Sequence, residues 1–315
     1  MSEKNKIPEV DIVVDEAAGV IREIKPEKLR SKKGHERRVN TSIYIVLILM
    51  SIIWLAPFVF LVFQSFRSYL TESGAMVNYL LPKQWSLDNY IWLLTDPSSD
   101  FLGWYGNTVI IALFCAVLQT IMVLSVSYTL SRMRFKGRKL IMNIVLVLGL
   151  FPGFLTMITL YFLLRQINLT QSGAIPGLIL IYVASSGMGY YISKGFFDTI
   201  PKSLDESARI DGATRAQVVR MIIMPLAKPI VIYTILMAFM AHWGDYVFAS
   251  YIAFGSKPNY NVAVGLYQWV NVNDYQGYFT RFCAGGVLVA VPITLLFLAL
   301  QKYYVEGVTG GAVKG

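Results

Sequence analysis

Residues 101–131 read FLGWYGNTVIIALFCAVLQTIMVLSVSYTLS, a run without Asp, Glu, Lys or Arg. About 20 apolar residues cross a bilayer core as a helix, so this run is long enough to span a membrane. The pattern recurs on both sides. Val39 to Phe66, Leu140 to Leu164, Gln166 to Ser193 and Phe282 to Gln301 are equally free of charge, and Pro229 to Ser256 is interrupted only by Asp245. Lipid offers no partner to an open backbone, and runs of this length exceed barrel strands. The expected fold class is all-α, a polytopic membrane protein with six transmembrane helices. Pro57, Pro152, Pro176 and Pro292 fall inside these runs, where membrane helices accept them as kinks.

Composition points the same way. The 315 residues are 55% hydrophobic and 15% charged, against about 25% charged in an ordinary soluble domain. Of the 28 Lys and Arg, 23 fall in residues 1–42, 131–139, 194–228 and 301–315, all on one side of the expected spans, and 5 on the other. The positive-inside rule places that richer side, with both termini, in the cytoplasm of a prokaryotic inner membrane. The net charge of +9 is then a matter of topology and calls for no nucleic-acid partner. Residues 1–42 mix charges of both signs with few aromatics. They are expected to be a disordered cytoplasmic tail or a short surface helix near Glu27 to Arg38. No cleavable signal peptide is read, since the first apolar run begins late and is of spanning length. Cys115 and Cys283 sit inside apolar runs without CxxC or metal spacing, which suits packing rather than redox chemistry.

Signs of catalysis are absent from the sequence. It has no GxxxxGK[ST] loop, no nucleophile elbow and no zinc-ligand spacing, so no catalytic residue, metal or cofactor is expected. Any ATP dependence would come from a separate subunit. His242 and Asp245, at i and i+3 in the fifth run, would share a helix face. Ionisable groups at membrane depth face cavities or partners, so a proton relay or a substrate contact is one reading. Contact of Asp245 with headgroup water beside Tyr246 and Tyr251 is the other. Trp243 and Tyr246 could line a sugar path, because aromatic faces cover the C–H faces of sugars.

The polar insert between the fourth and fifth runs, Ser203 to Pro229, reads SLDESARIDGATRAQVVRMIIMPLAKP. Ser203 with Glu206, and Thr214 with Gln217, each have capping-box spacing, so two short helices are expected. Asp211-Gly212 supplies the turn between them. Leu204, Ala208 and Ile210, with Val218, Val219 and Ile222 behind, are the apolar anchors of this knuckle.

Glu206-Ser207-Ala208, three residues, Gly212, nine residues, then Ile222 and Pro225 resemble the EAA loop of membrane-spanning subunits of ATP-binding-cassette importers. Ser207 and Met224 depart from the family's Ala and Leu, both conservative in volume. The segments SRMRFKGRK (131–139), VAVGLYQWV (262–270) and PITLLFLALQKYYVEGVTGGAVKG (292–315) look like the carbohydrate-importing branch, the maltose and maltooligosaccharide permeases of the second-subunit type. The resemblance covers about Ile43 to Gly315. It implies a permease domain at 43–306 with a coupling loop at 198–225 and a cytoplasmic tail at 307–315. It also implies a sister permease subunit forming a heterodimer, two cytoplasmic ATPase subunits and an extracytoplasmic sugar-binding protein.

Carried over, Glu206, Ala208, Asp211, Gly212, Ala213 and Pro225 would couple to the ATPase. Glu206 either closes its own cap or meets a cation on the partner, and Asp211 is a contact or only a turn former. The outer segment Gly255 to Arg281, with Asn259, Tyr260, Asn261, Asn271, Asn273 and Asp274, is the candidate contact for the binding protein, or else a solvated connector. Two rival functions remain: a proton-coupled secondary transporter built on His242 and Asp245, and a membrane scaffold that uses the knuckle without transport.

Overall fold

The computed structural model describes residues 12–15, 20–23, 26–72, 74–77, 79–150, 153–271 and 275–309. Residues 1–60 and 61–315 form two units. In the first, strands β1 (Ile12–Asp15) and β2 (Val20–Glu23) pair antiparallel, Ile12 opposite Glu23 and Asp15 opposite Val20. These strands and helix α1 (Pro26–Ser65) occupy the region read from sequence as a disordered tail or a short surface helix. From Val39 to Val59, α1 turns apolar side chains outward all round, as a lipid-facing helix does.

The second unit continues with α2 (Tyr69–Glu72), α3 (Asp88–Thr95), α4 (Phe101–Arg132), α5 (Arg138–Gly149) and α6 (Gly153–Gln166). Then come α7 (Ala174–Ala184), α8 (Gly187–Thr199), α9 (Lys202–Ile210), α10 (Arg215–Val218) and α11 (Met224–Leu226). Last are α12 (Lys228–Met240), α13 (Val247–Ala253), α14 (Val262–Asn271) and α15 (Tyr275–Thr309). Helix α4 is the axis of this unit, packed against α7, α8, α12 and α14, while α12 also packs on α15. Small residues permit the close approaches. A Cβ on Gly265 of α14 would stand 2.0 Å from the Trp104 ring of α4, and one on Gly177 would stand 2.1 Å from the Leu169 carbonyl.

The helical class holds, and three to five of the six expected spans are recognisable among the described residues. Among the described residues, Val39–Ser65, Phe101–Arg132 and Gly277–Tyr303 are each one helix long and apolar enough to cross a membrane. Two further bent pairs could each make one span. Thr156–Gln166 meets Gln171–Ala184 at 99°, and Arg215–Leu226 meets Lys228–Met240 at 77°. The first bend passes through Asn168 and Gln171, both at positive φ. The run Gln166 to Ser193 is thus divided at this bend and again at Ser185–Ser186, and Leu140 to Leu164 is shared between α5 and α6. Pro152, Asn273, Asp274 and the tail beyond residue 309 lie outside the described residues.

Candidate coupling loop and helix break

Residues 201–226 build a compact knuckle. Helix α9 starts two residues earlier than a Ser203 cap would have it, after Pro201 in an extended conformation (φ −58°, ψ 132°), and no side chain caps it. The Ser203–Glu206 capping box is therefore not formed: Ser203 is already inside the helix, and Glu206 is left exposed.

The other end of α9 is closed by backbone. Gly212 takes φ +85°, its N–H donates to the Arg209 carbonyl at 3.2 Å, and the Ala213 N–H donates to the Ala208 carbonyl at 2.9 Å. These two bonds around a left-handed glycine make a Schellman motif, whose usual hydrophobic contact joins Ala208 to Ala213. The spacing Ala208, Gly212, Ala213 is thus a helix stop written in sequence. Thr214 then caps α10 as expected. Its Oγ1 accepts from the Gln217 N–H at 3.3 Å, and its own N–H donates to Gln217 Oε1 at 2.8 Å. A π-turn at Val219–Ile223 and Pro225, which has no N–H to give, carry the chain into its bend toward α12.

Burial divides the anchors. Ala208, Val218 and Ile223 pack with Leu124, Phe197 and Ile230 inside the chain's own core, whereas Ile210 is 85% exposed and Leu204 is exposed. Ala208 is 9% exposed, and α9 lies close on that core at this position. Asp211, Gly212 and Pro225 are exposed with Glu206.

Arg132, a residue the sequence reading counted only as topological charge, clamps the knuckle. At the end of α4, its NH2 donates to the Ile200 carbonyl at 2.8 Å and the Phe197 carbonyl at 3.1 Å, and its NH1 lies 3.4 Å from Asp205 Oδ2 of α9. Arg132 thereby caps the carbonyl end of α8, where Phe197 also accepts from the Ile200 N–H, and ties three elements together. Beside it Ser131 donates to Asp198 at 2.5 Å, and Lys194 pairs with the same carboxylate. Burial pushes the Asp198 carboxyl up, but these hydrogen bonds and the charges of Lys194 and Arg138 outweigh it and hold it below the ordinary carboxylate value.

The second candidate region differs from expectation. His242, Trp243 and Asp245 are not on one helix face, because α12 ends at Met240 and residues 241–246 are irregular. Such backbone survives at membrane depth only where protein serves its polar groups. Here Asn261 donates its amide to the Asp245 carbonyl at 2.7 Å, and the Asp245 carboxylate accepts from the Phe248 N–H at 3.1 Å and from the Tyr182 hydroxyl. His242 stacks on Tyr182 with ring centroids 4.0 Å apart, and Trp243 packs edge-on against Tyr105. Both are buried, and neither His242 Nε2 nor Trp243 Nε1 has a hydrogen-bond partner among the described residues. Tyr246 is half-buried against Tyr267.

Residues 257–262 are pinned to α4. Trp104 donates to the Lys257 carbonyl, Asn107 to the Pro258 and Tyr260 carbonyls, and the Val262 N–H to Thr108 Oγ1 at 2.7 Å. Tyr260 and Asn261 are buried, with the Asn261 side chain consumed in bracing Asp245 and the Val264 N–H. Of that trio, only Asn259 is partly exposed.

Residues 121–310 match the family model of the binding-protein-dependent transport system inner membrane component, and the chain belongs to that family. It is a multi-pass inner membrane permease component. It is 34% identical over 275 residues to the galactooligosaccharides transport system permease protein GanQ of Bacillus subtilis (strain 168), covering 86% of this chain and 94% of that one. It is also 34% identical over 273 residues to the maltodextrin transport system permease protein MdxG of the same organism, covering 86% of this chain and 95% of the other. The fold matches a chain in the crystal structure of a bacterial ABC transporter involved in the import of the acidic polysaccharide alginate. The TM-score is 0.70 and the identity 23%, over 86% of this chain and 98% of that one. Neither the secondary-transporter nor the scaffold reading finds support in these likenesses.

Proposed function

We propose that this chain is one permease half of an ATP-driven importer that moves a maltodextrin-like oligosaccharide inward by alternating access. The observation that carries the reading is the knuckle: a rigid, capped turn whose buried side is clamped to α4 and α8 while Glu206, Ile210, Asp211 and Gly212 stand exposed. An element fixed to the spans on one side and open on the other can pass the motion of a separate motor to the membrane helices. Two cytoplasmic ATPase subunits would supply that motor, a sister permease the other half of the path, and an extracytoplasmic sugar-binding protein the cargo. The surplus of Lys and Arg beside the knuckle supports a cytoplasmic position for it and for both termini. With its first capping box open, Glu206 is placed to meet a cation on the ATPase. His242, Trp243, Asp245 and Tyr246 are the substrate-path candidates. The relatives named for galactooligosaccharides and maltodextrin support the sugar class.

The test is uptake of labelled maltotriose by proteoliposomes holding this chain with its co-expressed partners. ATP-dependent uptake that survives collapse of the proton gradient is expected. Uptake driven by a proton gradient without any ATPase subunit would overturn the proposal.

A further inference from the structure

Between the end of α4 and the knuckle lies a cleft of about 550 Å³, and its walls are cationic. Arg132, Arg134, Arg138, Lys202, Arg209 and Arg215 line it against only two carboxylates, Asp205 and Glu206. Arg132 has a side chain 4% exposed, and its Nε and NH1 have no hydrogen-bond partner among the described residues. Its single ion pair, with Asp205, is already long at 3.4 Å. Four more cations than anions around a shared space repel one another unless an anion occupies it.

The surroundings say which kind of anion. The cationic Arg132 and Arg134 alternate with Met133 and Phe135, which are 37% and 39% exposed just past the end of a membrane-spanning helix. Arg138 and Lys139 begin α5, and Leu140 and Ile141 after them are also exposed and apolar. A soluble anion has no use for such walls. A lipid does, because its phosphate meets the cations while its acyl chains lie on the apolar helix surface, and basic pockets beside membrane helices bind anionic headgroups in this way.

We infer that this cleft holds the phosphate of an anionic phospholipid, which braces the end of α4 against the knuckle. The inference needs only the membrane-spanning nature of α4 and stands apart from the importer proposal.

The full-length protein in neutral detergent, titrated with phosphatidylglycerol or phosphatidylcholine and read by native mass spectrometry, tests it. Phosphatidylglycerol should be retained and phosphatidylcholine should not. The pair Arg134→Gln and Arg138→Gln should weaken that retention about 25-fold, at about five-fold for each cation lost. The pair Arg134→Lys and Arg138→Lys should keep it. Equal retention of both lipids overturns the inference, as does displacement by millimolar glycerol phosphate, which would make the site one for a soluble anion. Unchanged lipid retention in the glutamine pair, with loss only of a co-purifying protein, overturns it in favour of a protein contact.

Discussion

Replacing Gly212 by leucine is expected to leave the protein inserted and folded but to cut transport by about tenfold or more, the equivalent of about 1.4 kcal/mol of lost coupling. The expectation rests on two features of the position. Its φ of +85° is a conformation that L side chains rarely adopt, and a Cβ built there meets nothing within 4 Å of this chain. Inside the chain, then, the substitution costs only local backbone strain, about 1–2 kcal/mol. A folded membrane domain tolerates that. The side chain would instead project where an ATPase subunit is proposed to sit. Immunoblots of the membrane fraction beside uptake rates make the comparison, and normal transport by the leucine variant would remove Gly212 from the contact.

Arg132→Ala should be the more destructive change for the fold. It removes the side-chain donor from the Ile200 and Phe197 carbonyls, the latter keeping the Ile200 N–H, and leaves Asp205 without its cation. Removing one partner of a largely buried pair costs about 3–5 kcal/mol, and partial exposure of Asp205 sets the expectation at the lower end. Arg132→Lys should recover only part of this, because an ammonium cannot reproduce the guanidinium fork that reaches two carbonyls and a carboxylate. Adding Asp205→Ala to Arg132→Ala should cost less than the sum of the two single changes. Thermal unfolding in detergent reads all four proteins. If Arg132→Ala unfolds with wild-type stability, the clamp does not hold the knuckle.

The apolar runs made the helical membrane class legible, and the run at 101–131 became α4 almost residue for residue. The turn at Gly212 and the cap at Thr214 were equally readable, since both are local devices whose partners lie within six residues. What escaped the sequence depends on distant partners. The break at 241–246 exists because Asn261 and Tyr182, far along the chain, serve Asp245. A helical i, i+3 pattern cannot register that. Arg132 looked like one more cytoplasmic charge, and only folding brings the end of α8 and Asp205 to it. Asn261 looked like a surface asparagine for the same reason. The first capping box failed because Pro201 starts α9 early, and a shift of two residues moves Ser203 from cap to helix.

The central claim is that the knuckle is the mechanical joint to a separate ATPase. Ile210, 85% exposed, sits at its tip, and the chain's two cysteines, Cys115 and Cys283, are buried. An Ile210→Cys variant therefore offers one accessible thiol to a short bifunctional cross-linker in the assembled membrane complex. The account predicts a cross-link to the ATPase subunit, and protection of that thiol from a polar maleimide when the ATPase is present. A thiol that stays fully reactive to maleimide, with no cross-link, while the same complex imports sugar at the normal rate, would contradict it.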